Sequence, residues 1–305
     1  MSRLPVRRRD PAGTADRARG ALLGLAVGDA LGAAVEWLHP DQIHARYGGS
    51  LRDLVASPPW ERGEWTDDTA MAMELATSLA EKGEYDEEDV FSRYAMWARS
   101  GPKDIGSTVA AALLRARSVD EARALAHAYH ESSGGMSAGN GSLMRTAPLA
   151  LRYRNDAGAL ERISREESSI THYDPLAGDA CAWFNLTLAA LVRGRKLPRS
   201  TSAAAAAAEE AIAAPEEVLA AEAQERMGFV LTALRIGFAA AFGRPDVESA
   251  VVFAVNLGGD ADTNGAVAGA LAGARHGATT IPARWIEPLL AHERIGGLAN
   301  RLVRA

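Results

Sequence analysis

Residues 251–277 read VVFAVNLGGDADTNGAVAGALAGARHG. An apolar run, 251–257, is broken by Gly258 and Gly259, and a second apolar segment opens on Asp260, Asp262 and Thr263. That second segment carries Gly265, Gly269, Gly273 and Gly277 at four-residue intervals. This spacing puts all four on one helical face, where each glycine costs about 1 kcal/mol relative to alanine. A stripe so costly implies another backbone close by. Gly20, Gly24, Gly28 and Gly32 form a matching stripe near the start of the chain. The expectation is two glycine-striped helices packed on each other, or each on a central neighbour. Glu36 continues the first stripe and Asp29 lies seven residues before it. If the helix persists over 16–35, both carboxylates approach Asp260 and Asp262.

An aspartate before a helix is ordinarily a cap. Two carboxylates and a hydroxyl within four residues, beside paired glycines, are also hard oxygen ligands suited to Mg²⁺, Mn²⁺ or Ca²⁺. Two familiar motifs fail here. An EF-hand loop starting at Asp260 needs Glu at its twelfth position, where Leu271 stands. A D-x-D-x-T nucleophile fails because Asn264 occupies the threonine position. The turn is therefore half a site whose partners lie elsewhere.

At 305 residues the chain can bury a large core, and its net charge of −6 argues against nucleic-acid binding. Cys181 is the only cysteine, which excludes a disulfide framework and fits a cytoplasmic setting. It is expected to be buried and inert. No run of 18 residues is free of charge, so no membrane span is expected. Apolar residues recur three and four apart and strict alternation is scarce, which predicts an all-α protein. Residues 1–16 read as a disordered basic leader and 17–305 as one all-α domain. Within it, 39–65 reads as a loop, 203–214 as an alanine-rich surface helix, and 282–305 as peripheral. Trp37 and Trp65 are expected to pack in the core.

Glu36, Thr66-Asp67-Asp68 and Asp260-x-Asp262-Thr263 are three separated sources of oxygen ligands. Five carboxylates are excessive for one cation. Two divalent ions, roughly 3.5–4 Å apart as in other two-metal sites, would balance them. No histidine pair sits nearby at helical spacing, which favours Mg²⁺ or Mn²⁺ over zinc. The Gly/Ser-rich loop 132–142 can present backbone N–H groups to phosphate.

GxxxGDALGxxxE (24–36), WTDDT (65–69), GNGSLMR (139–145), THxDP (171–175) and LGGDADT (257–263) occur in this order. Together they resemble the ADP-ribosylglycohydrolase family, including the dinitrogenase reductase-activating glycohydrolases. The resemblance implies a compact orthogonal helical bundle with a binuclear Mg²⁺ or Mn²⁺ cleft. It implies Thr66, Asp67, Asp68, Asp260, Asp262 and Thr263 as metal ligands and Glu36 beside the scissile ribose. It implies Asp104 at the guanidinium of a modified arginine. Gly139, Asn140, Gly141 and Ser142 would meet diphosphate and ribose, with His172 near the ligand. Asp174 departs from the family's usual T-H-x-H-P.

The implied activity is metal-dependent cleavage of the N-glycosidic bond of ADP-ribosylated protein side chains, arginine above all, releasing ADP-ribose. O-linked, O-acetyl or nucleobase-linked ADP-ribose, and a non-catalytic ADP-ribose binder, are the alternatives. The expected partner is an ADP-ribosylated protein or a small ADP-ribose conjugate, and the expected state a monomer.

Overall fold

Residues 13–304 are described by the computed structural model, and among them every regular element is helical. Helices α1 (Thr14–Gly32) and α2 (Pro40–Tyr47) precede α3 (Asp67–Lys82) and α4 (Glu87–Arg99). Four helices follow: α5 (Ser107–Leu113), α6 (Val119–Ser132), α7 (Ala147–Arg152) and α8 (Ala157–Ser169). The apolar α9 (Pro175–Val192) leads to α10 (Ala203–Ala211) and α11 (Glu216–Glu225). Then come α12 (Val230–Gly243), α13 (Val247–Asn256), α14 (Ala261–His276), α15 (Ala283–Ile286) and α16 (His292–Arg304). The expected leader falls largely outside the described residues, but Thr14, Ala15 and Asp16 already belong to α1.

The two glycine stripes meet directly, in antiparallel register. A Cβ added to Gly20 would lie 2.1 Å from the Gly273 carbonyl oxygen, at Gly24 2.1 Å from Gly269 O, and at Gly28 1.9 Å from Gly265 O. Gly32 faces Ala261 in the same way, at 2.3 Å. No side chain fits between these helices. Their backbones touch, closer than the 8–10 Å axis spacing of ordinary helix pairs. This contact sets the N-terminus of α14 beside the C-terminus of α1. Every residue of α14 from Ala261 to Ala274 is buried, so the pair forms the centre of the protein, with α12, α13 and α16 against it.

Helix α9 is long and apolar enough to cross a bilayer, yet most of it is buried against α7, α8, α12 and α14. It is a core helix.

Three expectations need correction. Helix α1 stops at Gly32, because the chain turns there through Val35 N–H to Gly32 O (2.9 Å) and reaches Trp37 at φ 65°. The presumed loop 39–65 contains α2. His39 accepts from Asp41 N–H while Gln42 accepts from His39 N–H (2.7 Å), a capping box. His39 is an unusual cap residue, which hid the signal. Helix α10 is a surface helix as expected, with Ala206, Glu209 and Glu210 exposed and Ala204, Ala205, Ala208 and Ala211 burying its inner face. The 282–305 segment is not peripheral. Trp285 is fully buried, its indole N–H donating to Arg52 O (2.9 Å), and Ile295, Leu298 and Leu302 bury one face of α16.

Candidate active site

The acidic stretches meet at the end of the α1–α14 pair. Asp29, in the last turn of α1, is fully buried and reaches across to α3. Its Oδ1 accepts from Thr66 N–H (2.8 Å), and its Oδ2 from Thr69 N–H (2.9 Å) and Thr69 Oγ1–H (2.6 Å). Asp29 thus serves the orphan N–H groups of α3 from outside the helix. Thr66 stands at the N-cap but makes no side-chain cap bond. Its hydroxyl lies 3.3 Å from Asp68 Oδ2 and 3.4 Å from Asp262 Oδ2. Asp29 comes close to the cluster, as expected, and its hydrogen bonds to α3 seat it.

Asp260 is likewise an N-cap, of α14, without a side-chain cap bond. Asp262 Oδ1 accepts from Thr263 N–H (2.9 Å), and Thr263 Oγ1 lies 3.5 Å from Asp68 Oδ2. Thr66, Asp68, Asp262 and Thr263 therefore form one buried constellation across two helix starts. Asp68 Oδ1 is buried without a hydrogen-bond partner.

Glu36 comes to the site through a stitched turn and not along a helix. Trp37 N–H donates to Gly259 O (2.7 Å), and Gly259 N–H donates to Leu38 O (3.0 Å). This reciprocal pair ties the residue after Glu36 to the residue before Asp260. Carboxylate oxygens of Glu36, Asp260 and Asp262 then fall within 4.8 Å of one another. Asp104 approaches on the loop 101–106, which is anchored to α3 by Gly106 N–H donating to Asp67 Oδ2 (3.2 Å).

The opposite wall is the loop 137–142. Asn140 N–H donates to Gly228 O (2.9 Å) and Val230 N–H to Ala138 O (3.0 Å). Asn140 Nδ2 donates to Asp260 Oδ2 (2.8 Å), joining this wall to the acidic one. His172 is buried with Nδ1 2.8 Å from Thr171 Oγ1. Its other edge lies under the loop, so a Cβ at Gly139 or Gly141 would come within 3.2 Å of the ring. The two glycines make room for that imidazole. Burial, then the nearby Arg145 guanidinium, hold His172 neutral, with its pKa lowered to about 3. Ser142 does not line the cleft. It is fully buried, accepting from Ser168 Oγ (2.8 Å) in the core. Beneath the loop, Arg145 Nε and Glu167 Oε1 form a buried ion pair at 2.6 Å, to which Tyr94 Oη donates (2.9 Å). Cys181 is buried as expected, its thiol pushed up to about 12 first by burial.

These walls enclose a cleft of about 710 Å³, within the range of small-molecule sites. Seven carboxyl side chains line it, against one arginine, Arg226. Burial raises the Glu36 pKa to about 8, with further repulsion from Asp104, Asp260 and Asp67. Burial, then Asp104, raises Asp67 to about 7. Burial, then neighbouring carboxylates, holds Asp68 and Asp262 well above the ordinary range. Such a cluster is stable at neutral pH only if protons or cations neutralise it. Carboxylates and hydroxyls are donors for Mg²⁺ or Mn²⁺, so the donor set and the unpartnered Asp68 oxygen fit divalent cations. The 226–229 segment, between α11 and α12, also lines the cleft. Its only sequence signal was Gly228 ahead of an apolar run, too common to read.

Comparison with known proteins agrees with this architecture. The family model described as ADP-ribosylglycohydrolase matches residues 10–305. The chain is 34% identical to the ADP-ribosyl-dinitrogen reductase glycohydrolase of Rhodospirillum rubrum, over 90% of each chain. It is 31% identical to the ADP-ribosylarginine hydrolase Tri1 of Serratia proteamaculans, over 94% of this chain and 79% of that protein. A solved structure described as an ADP-ribosylglycohydrolase-related protein complex superposes with a TM-score of 0.72 at 33% identity, over 95% of this chain and 98% of that one. The chain belongs to the ADP-ribosylglycohydrolase family, enzymes that hydrolyse the glycosidic bonds of ADP-ribosylated substrates.

Proposed function

We propose that this cleft removes ADP-ribose from ADP-ribosylated arginine side chains of proteins, using two divalent cations, Mg²⁺ or Mn²⁺. The observation that carries the reading is the meeting of Thr66, Asp67 and Asp68 with Asp260, Asp262 and Thr263 beside Glu36. The two relatives whose names specify arginine or dinitrogen reductase support the protein-side-chain linkage.

Thr66, Asp67 and Asp68 would hold the cations from one side, and Asp260, Asp262 and Thr263 from the other. When bound, the cations supply charge to orient ribose hydroxyls and to acidify water. Glycosidic bonds break through an oxocarbenium-like state, so the sugar needs negative groups near its anomeric carbon and a positioned water. Glu36 supplies both. Its carboxylate orients the water and takes one proton as the water oxygen bonds to the anomeric carbon. The C–N bond breaks in the same event, its electron pair passes to the guanidinium nitrogen, and the neutral guanidine so released takes up the proton that Glu36 accepted. Burial and then the neighbouring carboxylates raise the Glu36 pKa, so Glu36 would act as a base with divalent cations held by the adjoining aspartates to offset that cost. Asp104, half-buried and tied to Asp67 through Gly106, orients the guanidinium. On the other wall, Gly139 and Asn140 N–H groups are already bonded to Ser137 and Gly228 carbonyls. Diphosphate recognition therefore falls to the Gly141 backbone N–H, with His172 beneath.

The test uses chelator-treated protein and substrates carrying ADP-ribose on arginine or on serine. Release from arginine that returns with Mn²⁺ or Mg²⁺ is expected. No cation-dependent release from either linkage would sink the metal-dependent reading. Release from serine alone would sink the arginine assignment.

A further inference from the structure

The floor of the cleft is acidic, and the one cation in its lining stands on the opposite wall. Seven of the lining residues are carboxylic acids and one is an arginine, Arg226. The loop 137–141 and the segment 226–229 bring no acidic side chain to the cleft. Those two stretches are bound to each other. Gly139 stands opposite Phe229 in a short antiparallel bridge. The bond from Asn140 N–H to Gly228 O (2.9 Å) and the bond from Val230 N–H to Ala138 O (3.0 Å) flank it. Gly228 holds its turn at φ 74°, a conformation glycine adopts without strain, and Phe229 N–H closes the turn on Arg226 O (3.2 Å). Asn140 Nδ2 also donates to Asp260 Oδ2 (2.8 Å). A continuous chain of hydrogen bonds therefore fixes the 226–229 turn relative to the acidic floor.

Arg226 differs from the arginines around it. Arg235 is paired to Glu222 at 3.0 Å and Arg244 to Glu216 at 3.1 Å. Arg226 is exposed and makes no ion pair and no side-chain hydrogen bond among the described residues. Its guanidinium lies over the Phe229 ring, 5.4 Å from the centroid. A planar guanidinium resting on an aromatic face keeps its N–H donors free at its edges. The ligands of this family carry a diphosphate, which is ionised at neutral pH. Carboxylates on the floor repel it, so the wall that lacks them is where it settles. The Gly141 N–H on that wall offers a donor without a full charge.

From this we infer that Arg226 is the counter-ion of the diphosphate: its guanidinium, supported on Phe229, pairs with the phosphate oxygens while the Gly141 N–H donates beside it. The inference rests on the proposed binding of ADP-ribose in this cleft and adds the group that sets its preference for a diphosphate-bearing ligand. The diphosphate is common to substrate and product and takes no part in bond breaking. Arg226 therefore contributes binding that is equal in the ground and transition states.

The experiment compares the full chain, loaded with Mn²⁺, with its Arg226→Gln variant. The affinity of each for free ADP-ribose is measured by calorimetry at about 0.05 M and about 0.5 M salt, and kcat and KM are measured on ADP-ribosylated agmatine. The expected loss of affinity in the variant at low salt is about tenfold, the scale of one charge-assisted hydrogen bond. At high salt it should shrink to about twofold, because exposed charges are then screened. KM should rise at low salt, with kcat and Tm held. Equal affinities at low salt would overturn the inference. A loss of the same size at both salts would overturn it too, by assigning Arg226 to stacking or packing. A fall in kcat with KM held would do the same, by placing Arg226 at the reacting end. If the unaltered chain binds ADP-ribose but cleaves no conjugate, the proposed activity fails and the affinity arm still decides the role of Arg226. If the unaltered chain binds no ADP-ribose, both fail.

Discussion

Two kinds of helix start occur in this protein, built from the same residue types. At α4, α8 and α13 the N-cap is an aspartate, Asp86, Asp156 or Asp246, whose carboxylate accepts from the backbone N–H three residues on. At α3 and α14 the N-cap residues Thr66 and Asp260 make no such bond. The difference lies in who serves the orphan N–H groups. At α3 the buried Asp29 does so from the neighbouring helix, and at α14 Asp262 accepts from the N–H that follows it. Once those groups are served, the remaining carboxylates and hydroxyls turn toward one another. A helix start becomes half of a buried acidic constellation when its capping is delegated.

Substitutions at three positions test that contrast. The largest effect is expected at α14. Asp262→Asn should lower turnover by about a thousandfold or more, about 4 kcal/mol in barrier. In metal-free protein at neutral pH it should raise the Tm, because burial and then the neighbouring carboxylates make a carboxyl group there unfavourable in the folded state relative to the unfolded one. It should also abolish the Tm increase that added Mn²⁺ gives the unaltered chain. A lowered metal-free Tm would return Asp262 to an ordinary stabilising role. The next effect belongs to the delegated cap. Asp29→Ala leaves Thr66 and Thr69 N–H groups buried and unpaired, costing roughly 3 kcal/mol, which denaturant titration measures. Turnover should fall with it, and Asp29→Asn, retaining one acceptor, should lose less of both. The smallest effect is at a self-capped start. Asp246→Ala should cost about 1 kcal/mol with kcat and KM unchanged, and a loss of activity there would erase the distinction.

Much of this was legible in residue order, and the limits are physical. Glycines four apart in two segments require two backbones in contact, and Gly24 against Gly269 is that contact. The all-α class followed from three- and four-residue spacing alone. Asp29 was legible as acidic and near the site, but whether a buried carboxylate ligates or caps depends on which N–H groups lie within 3 Å of it. Trp37 was expected in the core because indoles usually pack. Its exposure follows from the chain leaving α1 four residues earlier than the stripe suggested, and from the bond to Gly259. Ser142 sits in a loop motif beside cleft residues, yet its hydroxyl faces Ser168 in the core.

Sequence alone settled the helical class, the two stripes that must meet, and the acidic stretches that any cation site here would use, because these depend on residue type and spacing along one chain. Tertiary structure decided which carboxylate caps and which is released, how Glu36 reaches Asp260 after the helix has ended, and that the Arg226–Phe229 segment closes the far wall. Those outcomes depend on distances between segments far apart in the chain. A hydrogen bond is won or lost over less than an ångström, a margin that spacing within one segment does not encode.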